Sequence, residues 1–541
     1  MLQLSVVSNL QTLKEPQRSD DHVLKQTLSL CPQCLERIDA TIVERNGQVL
    51  LVKDCPQHGH FEDMYWADIE TYNRFEKYGK VGKGVSNPRT QSEKQCPYDC
   101  GLCPNHKSHT VLSIIDVTNA CNLQCSICFA HAGKIGYLYR PNVETIGEIM
   151  DNLRSNLPVP PPAVQLSGGE PTVHPDILEI VKMAKRKGFR HIELNTNGVK
   201  IADEKDGVEF LRQLRDAGVD TLYLSFDGVT PEAYLGRAPS HLDAKGKQEY
   251  ASWLFNVKKK VIENCREIGH NSVVLVPVVV RGMNDNQLGD IIQFAIQNID
   301  VVRCVNFQPV SFAGRTEEWE VKQGRITVPE AMHRIEEQMN GTVKVKDFYP
   351  IPCTYPISDF LNVYKSKSHV EFTCHQHCGA ATYLYVEKGK AVPITELGNV
   401  DAFFNTLTKA TEDLRKGKRT KAKLRVGFSA LRNIKPKILR EVLPAILSGS
   451  YESLRPFHYK TLMIGLMHFM DAYNFDLARV ERCTIHYGFP GGKIVPFCTM
   501  NTLHRQALEK QYAVPLPQSR PAGERKRGTR AGNKSISSPS S

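Results

Sequence analysis

Between residues 109 and 320, strand-length apolar runs alternate with amphipathic stretches, and this alternation limits the fold more than any other feature. The runs are VLSIIDVT (111–118), AVQLSG (163–168), HIELNTNG (191–198), TLYLSFDG (221–228), SVVLVPVVVRG (272–282) and VRCVNFQPV (302–310). Between them lie VETIGEIMDNLRSNL, PDILEIVKMAKRKGF, GVEFLRQLRDAGV, YASWLFNVKKKVIENCREIG and QLGDIIQFAIQNI, each with apolar residues at helical spacing. Strands that are nearly continuous in apolar residues and joined by helices imply a parallel sheet covered on both faces. Six β/α units fit an open, partial (β/α)6 barrel better than the eight of a closed TIM barrel. In such sheets the functional residues sit at the C-terminal ends of the strands.

The chain has 541 residues, sixteen of them cysteine, and the cysteines are clustered. The N-terminus lacks the basic start, apolar run and cleavage site of a secretory signal, so a cytoplasmic location is expected. There, clustered thiols read as metal ligands and not as disulfides. The longest apolar runs, Val273–Val280 and Leu462–Met467, fall far short of the roughly 20 residues of a spanning helix. Part of the net charge of +11 lies in the tail GERKRGTRAGNKSISSPSS, and residues 511–541 are expected to be a disordered basic tail. Such a tail could touch anionic headgroups peripherally, or simply aid solubility.

The strand ends carry the chemistry. After the first, Cys121, Cys125 and Cys128 form C-x3-C-x2-C, a loop able to hold three irons of a four-iron cube and leave the fourth open. LSGGEP (Leu166–Pro171) ends the second strand; Gly168 and Gly169 permit close backbone approach, and Glu170 is an anionic acceptor for an ammonium. NTNG (Asn195–Gly198), LSFDG (Leu224–Gly228), VVRGMND (Val279–Asp285) and FQPVSFAGR, with Gln308 and Arg315, close the next four. Together, and in this order, these motifs resemble the radical S-adenosylmethionine (SAM) superfamily, with Phe129 following the last cysteine. The resemblance implies a 4Fe-4S cluster on Cys121, Cys125 and Cys128 that cleaves SAM to a 5′-deoxyadenosyl radical. It further implies SAM contacts from Gly168, Gly169, Glu170, Asn195, Asn197 and Ser225.

A second C-x3-C-x2-C, Cys96, Cys100 and Cys103, precedes the barrel and lacks a GGEP partner. It reads as an auxiliary cluster, with a zinc site completed by His106 as the rival. Cys31, Cys34, Cys55 and His58 form paired knuckles for mononuclear zinc or iron, with His60 as a competitor for the fourth place. Cys265 and Cys304 are expected in the core. Eight cysteines then remain for two auxiliary 4Fe-4S clusters: the second triad plus Cys353, Cys374, Cys378, Cys483 and Cys498. Cys304 could replace one of them, and His375 and His377 read as polar loop residues.

The chain thus divides into an N-terminal segment (1–25), a cysteine-rich metal-binding domain (26–108), the partial barrel (109–320), an auxiliary iron–sulfur domain (321–510) and the tail. This layout resembles a group of multi-cluster radical SAM proteins typified by tetraether lipid synthase, a group also described as methylating a pterin precursor. It implies carbon–carbon bond formation between unactivated lipid alkyl chains, or alternatively methyl or one-carbon transfer to a pterin-like molecule. A non-enzymatic iron–sulfur redox protein is the third reading, and the GGEP and LSFDG motifs argue against it. The expected partners are SAM, a lipid or small-molecule substrate and an electron donor such as ferredoxin or flavodoxin; no nucleic acid is expected. Residues 403–480 read as a long helical stretch, in which Leu462, Leu466 and Phe469 or Met470 could line an apolar channel.

Overall fold

The computed structural model describes residues 20–315, 323–441, 457 and 459–515. Of the expected N-terminal segment and disordered tail, residues 20–25 and 511–515 are described, and both bounds shift: a strand already begins at His22, and a helix ending at Tyr512 and a short strand at Val514–Pro515 occupy the start of the tail. Four antiparallel strands come first: β1 (His22–Leu30), β2 (Arg37–Arg45), β3 (Gln48–Cys55) and β4 (Gly59–Trp66), ordered 1-2-3-4. Alternation sends Ala40, Ile42, Val49, Leu51 and Trp66 into the main hydrophobic core. Helix α1 (Ile69–Glu76) follows, capped by Asp68, whose Oδ1 accepts from the Glu70 and Thr71 amides at 2.8 and 3.3 Å.

The barrel strands are β5 (Leu112–Thr118), β7 (Ala163–Gly168), β8 (His191–Thr196), β9 (Thr221–Ser225), β10 (Val273–Val276) with its continuation β11 (Val278–Val279), and β12 (Val302–Pro309). A short β6 (Tyr137–Leu138) lies beside the loop after β5. The intervening helices are α2 (Val143–Arg154), α3 (Ile177–Arg186), α4 (Gly207–Ala217), α5 (Ala244–Ile268) and α6 (Leu288–Gln297). All six units appear where the periodicity puts them. Val164, Leu166, Ile192, Leu194, Leu222, Leu224, Val305 and Phe307 pack with Ile149, Ile180, Leu211 and Ile291 of the helices.

Beyond β12 come α7 (Val328–Gln338), β13 (Tyr349–Pro350), α8 (Tyr355–Lys365), β14 (Gly379–Glu387), β15 (Lys390–Pro393), α9 (Val400–Arg415) and α10 (Arg419–Asn433). Then follow β16 (Thr461–Met467), β17 (Ile485–Gly488), β18 (Ile494–Pro496), α11 (Arg505–Tyr512) and β19 (Val514–Pro515), which pairs with β6. The main sheet runs β13-β14-β16-β12-β10-β9-β8-β7-β5-β17-β18. β16 adds parallel to β12 and β17 adds parallel to β5, so the C-terminal region extends the barrel sheet at both edges.

This corrects the helical reading of residues 403–480: α9 and α10 are among the helices present, but Thr461–Met467 is a strand. A four-residue spacing such as Leu462 to Leu466 satisfies a helix face and a strand face equally. Here Leu462, Ile464 and Leu466 alternate into the core and do not line a channel. The part of the stretch at 442–456 lies outside the described residues. Among the described residues, no helix is long and apolar enough to cross a membrane.

Candidate active site and metal centres

The loop after β5 is held from several sides. The Gly169 amide donates to Thr118 O at 2.7 Å and the Glu170 amide to Ala120 O at 2.9 Å. A Cβ on Gly168, whose φ is +127°, would lie 2.0 Å from Thr118 O, and one on Gly169 2.3 Å from Ala120 O. The two glycines are therefore demanded by the crossing of the β7 end over the cysteine loop. From the other side, Cys128 and Arg315 exchange backbone hydrogen bonds at 2.9 and 3.1 Å, and Arg315 Nε donates to Cys125 O at 2.7 Å. Arg315 thus holds the loop itself. Gln308 and Asn306 donate to the Tyr223 hydroxyl at 2.9 and 2.6 Å.

Cys121, Cys125 and Cys128 come within electrostatic reach of one another. Burial pushes the Cys121 thiol up to about 12, with Glu170, Cys125 and Cys128 adding to the shift. Burial likewise raises Cys125, partly offset by Arg237. A bound cation reverses this balance and favours the thiolates, so the donor set suits iron.

Glu170 is buried, and protein donors meet its carboxylate. It accepts from Thr172 N and Oγ1 (3.2 and 2.6 Å), Thr196 Oγ1 (2.8 Å) and Asn197 N (2.7 Å). The carboxylate braces the ends of β7 and β8. Asn197 Nδ2 donates to Asn122 Oδ1 at 2.7 Å and lies 3.9 Å from Cys121 Sγ. Asn195 Nδ2 donates to Ser167 Oγ at 3.1 Å, and Ser225 is half-buried at the end of β9.

Three further residues here escaped the sequence reading. Lys258 is fully buried and donates to Asn197 O at 2.5 Å. Burial lowers its ammonium to about 8, although Asp227, Cys125 and Glu170 oppose the shift. It stands in a Lys258–Lys260 run that reads as a solvated face, so nothing local marks it. Arg237 pairs with Asp227 in bidentate fashion at 2.7 and 2.8 Å and donates to Ile127 O at 3.2 Å. Asn284 donates to Asp227 O at 2.8 Å. Asp227, Arg237 and Asn284 border a small pocket that also touches Ile127, Val278 and Met283, where VVRGMND meets the cysteine loop.

The face of the sheet away from the helices is polar. Gln165 donates to Glu193 at 3.2 Å, and Asn195, Tyr223, Cys304, Asn306 and Gln308 share that face. Cys304 therefore lies opposite the expected core position, half-buried beside Glu193, whereas Cys265 is a core residue as expected.

Near the N-terminus, the donor atoms of Cys31, Cys34, Cys55 and His58 all lie within 4.8 Å of one another, the geometry for one tetrahedral ion. His58 presents Nδ1, 3.6 Å from Cys31 Sγ and 3.4 Å from Cys55 Sγ. His60 is instead engaged by Asp54 at 2.9 Å and Glu62 at 3.4 Å. Strong chelation, or Cys31→Ser with Cys34→Ser, should release the metal and destabilise the fold by several kcal/mol. Metal analysis and thermal unfolding check this; an unchanged midpoint after metal loss would reject the structural role.

The remaining cysteines divide unevenly. Cys96, Cys100 and Cys103 line a small pocket together with Asp99, His106 and Glu481. Cys374, Cys378, Cys483 and Cys498, from three separate points in the chain, act on one another: Cys374 is raised by burial with Cys378 and Cys483 adding, and Cys483 by burial with Cys498 and Cys378 adding. Arg479 and Arg482 are buried beside this second group; Cys378 and Cys498 hold the Arg479 guanidinium charged against the cost of burial. Two buried cations suit an anionic iron–sulfur centre. Cys353 joins neither group: burial and Asp401 act on its thiol. His106 Nε2 bonds to Cys483 O at 2.8 Å and lies 3.1 Å from His486 Nε2. His375 and His377 lie in the loop before β14 and are buried there, where His377 stacks on Tyr72 at 4.2 Å.

Residues 115–295 match the family description "Radical SAM superfamily", and residues 23–67 match "HMPTM N-terminal zinc ribbon domain". The protein is a radical SAM enzyme carrying an N-terminal zinc ribbon. It belongs to the family of a Methanocaldococcus jannaschii protein named 7,8-dihydro-6-hydroxymethylpterin dimethyltransferase, which is 46% identical over 505 residues, spanning 91% of this chain and 96% of that one. A mitochondrial GTP 3′,8-cyclase of Arabidopsis thaliana is 26% identical over 51% of this chain and 60% of its own length. Among solved structures, Streptococcus suis SuiB aligns over 44% of this chain and 47% of its own, at a TM-score of 0.33 and 18% identity.

Proposed function

We propose that this enzyme transfers one-carbon units to a 6-hydroxymethyl-7,8-dihydropterin-like substrate. The observation that carries this reading is the polar lumen beside the cysteine loop. Gln165, Glu193, Asn195, Tyr223, Asn306 and Gln308 line it with amide, hydroxyl and carboxylate groups, which can exchange their mutual hydrogen bonds for those of a flat heterocycle, as an alkyl chain cannot. The name of the 46% identical relative points the same way.

Cys121, Cys125 and Cys128 would hold the SAM-binding 4Fe-4S cluster, which when bound supplies the electron for reductive cleavage of SAM. Gly168, Gly169, Asn195, Asn197 and Ser225 would border SAM, with Glu170 bracing their strand ends and Lys258 fixing the Asn197 carbonyl. Cys374, Cys378, Cys483 and Cys498 would hold one auxiliary 4Fe-4S cluster. Cys96, Cys100 and Cys103 would hold a second, with Asp99, His106 or Glu481 nearest its fourth corner. Electrons would come from a ferredoxin- or flavodoxin-type donor.

Action on lipid alkyl chains has one observation in its favour, an exposed apolar and basic helix described below. One assay separates the two substrates. Reduced, reconstituted enzyme is incubated with SAM and either the dihydropterin or a lipid extract, following 5′-deoxyadenosine and product mass. A methylated pterin, with kcat/KM falling at least about tenfold in Glu193→Gln, is expected. Turnover with lipid and none with pterin would overturn the proposal.

A further inference from the structure

Between Asp413 and Glu441 the sequence carries eleven lysines and arginines and no acidic residue, as large as the whole formal excess of +11. Helix α10 occupies the middle of this run. It turns a small-residue side inward: Ala422 is buried, and Ser429 Oγ shares a hydrogen bond with Thr406 Oγ1 of α9 at 2.8 Å. The opposite side presents Leu424, Phe428 and Leu431, which are 56, 68 and 68% exposed. At i, i+4 and i+7 these form one stripe. Helical geometry places Lys421, Arg425 and Arg432 along one margin and Lys423 along the other.

A single exposed leucine is ordinary. Three large apolar side chains in register, on a helix without acids, form the pattern of an interfacial helix. Asp413 engages Lys421 at 3.6 Å and Arg425 at 2.9 Å, Asp359 engages Arg415 and Glu387 engages Lys437, while Lys423 and Arg432 are exposed beside the stripe. A nucleic acid would satisfy the charges but not the apolar stripe; a neutral apolar partner would satisfy the stripe but not the charges. An anionic bilayer satisfies both, with headgroups for the basic margins and acyl boundary for the stripe.

We propose that α10 docks the enzyme on anionic membrane surfaces, with Leu424, Phe428 and Leu431 entering the headgroup–acyl boundary. The inference rests on the surface alone and holds for either substrate class.

The test is flotation of the full-length protein with vesicles of pure phosphatidylcholine, or of phosphatidylcholine with one-third phosphatidylglycerol, at low and high salt. The expected result is binding to the anionic vesicles only, weakening with salt. Leu424→Ser with Phe428→Ser and Leu431→Ser should lower the bound fraction at least tenfold, and Lys421→Glu with Lys423→Glu should abolish the preference for phosphatidylglycerol. Because the substituted side chains are exposed, SAM cleavage by both variants should match the parent, which separates lost docking from lost folding. Vesicle binding unchanged by the Ser variant, absence of binding at low salt, or binding to a DNA duplex with none to vesicles would each overturn the proposal.

Discussion

Replacing Cys121, Cys125 and Cys128 together by alanine is expected to abolish 5′-deoxyadenosine formation while the remaining metal centres stay loaded. The reason lies in where this triad sits. Its loop begins at the end of β5, is crossed by Gly168–Glu170 and is clasped by Arg315, so a cluster there faces the strand ends that border the polar lumen. The Cys96 triad has the same spacing but is walled by Val480, Glu481 and Pro496, away from those strand ends. Anaerobically prepared protein should contain about twelve cluster irons and the variant about eight. If SAM cleavage survived, the Cys96 triad would be the SAM site. If all iron were lost, the loop would be required for folding and not only for cluster binding.

The second large effect is expected at a pair with no direct part in the chemistry. Asp227→Ala removes the partner of Arg237, a largely buried side chain, 17% exposed, that Asp227 holds by two hydrogen bonds, and also the acceptor of the Val278 amide at 3.2 Å. An orphaned buried charge of this kind costs about 3–5 kcal/mol. Arg237 also reaches Ile127 O, so the loss passes directly to the cysteine loop. Urea unfolding should show a lower midpoint at unchanged slope, together with weaker cluster retention. Asp227→Leu with Arg237→Met should recover much of the stability, because the cost belongs to the unpaired charge. Failure to recover would mean that the hydrogen bonds to the loop and to Val278, and not the charge, carry the stability.

Much of this site is legible before folding because its signals are local. Cys121, Cys125 and Cys128 share one short loop, GGEP one turn, and Cys31–Cys34 and Cys55–His58 one tight turn each; a few covalent bonds set their reach. Even there, the partners of Glu170 come from the fold. Its carboxylate is met by Thr172, Thr196 and Asn197, partners contributed by its own turn and by the neighbouring strand end. Lys258 and Arg237 could not be read, since a buried cation and a solvated one look alike in a sequence. The choice of His58 over His60 also needed the structure, which sends His60 to Asp54 and Glu62.

The alternation of apolar runs by itself determined the six β/α units, because burial on both faces of a parallel sheet leaves few other patterns. Ligand spacing within single loops likewise determined where metals could bind. Tertiary structure decided which distant cysteines meet. Cys374 and Cys378 reach Cys483 and Cys498 because β14 and β16 extend one edge of the sheet while β17 and β18 extend the other. Cys353, counted with them by arithmetic, is left beside Asp401. Counting ligands takes no account of chain path; their meeting depends on pairing β16 with β12 and β17 with β5, each more than a hundred residues apart, and no local spacing encodes those.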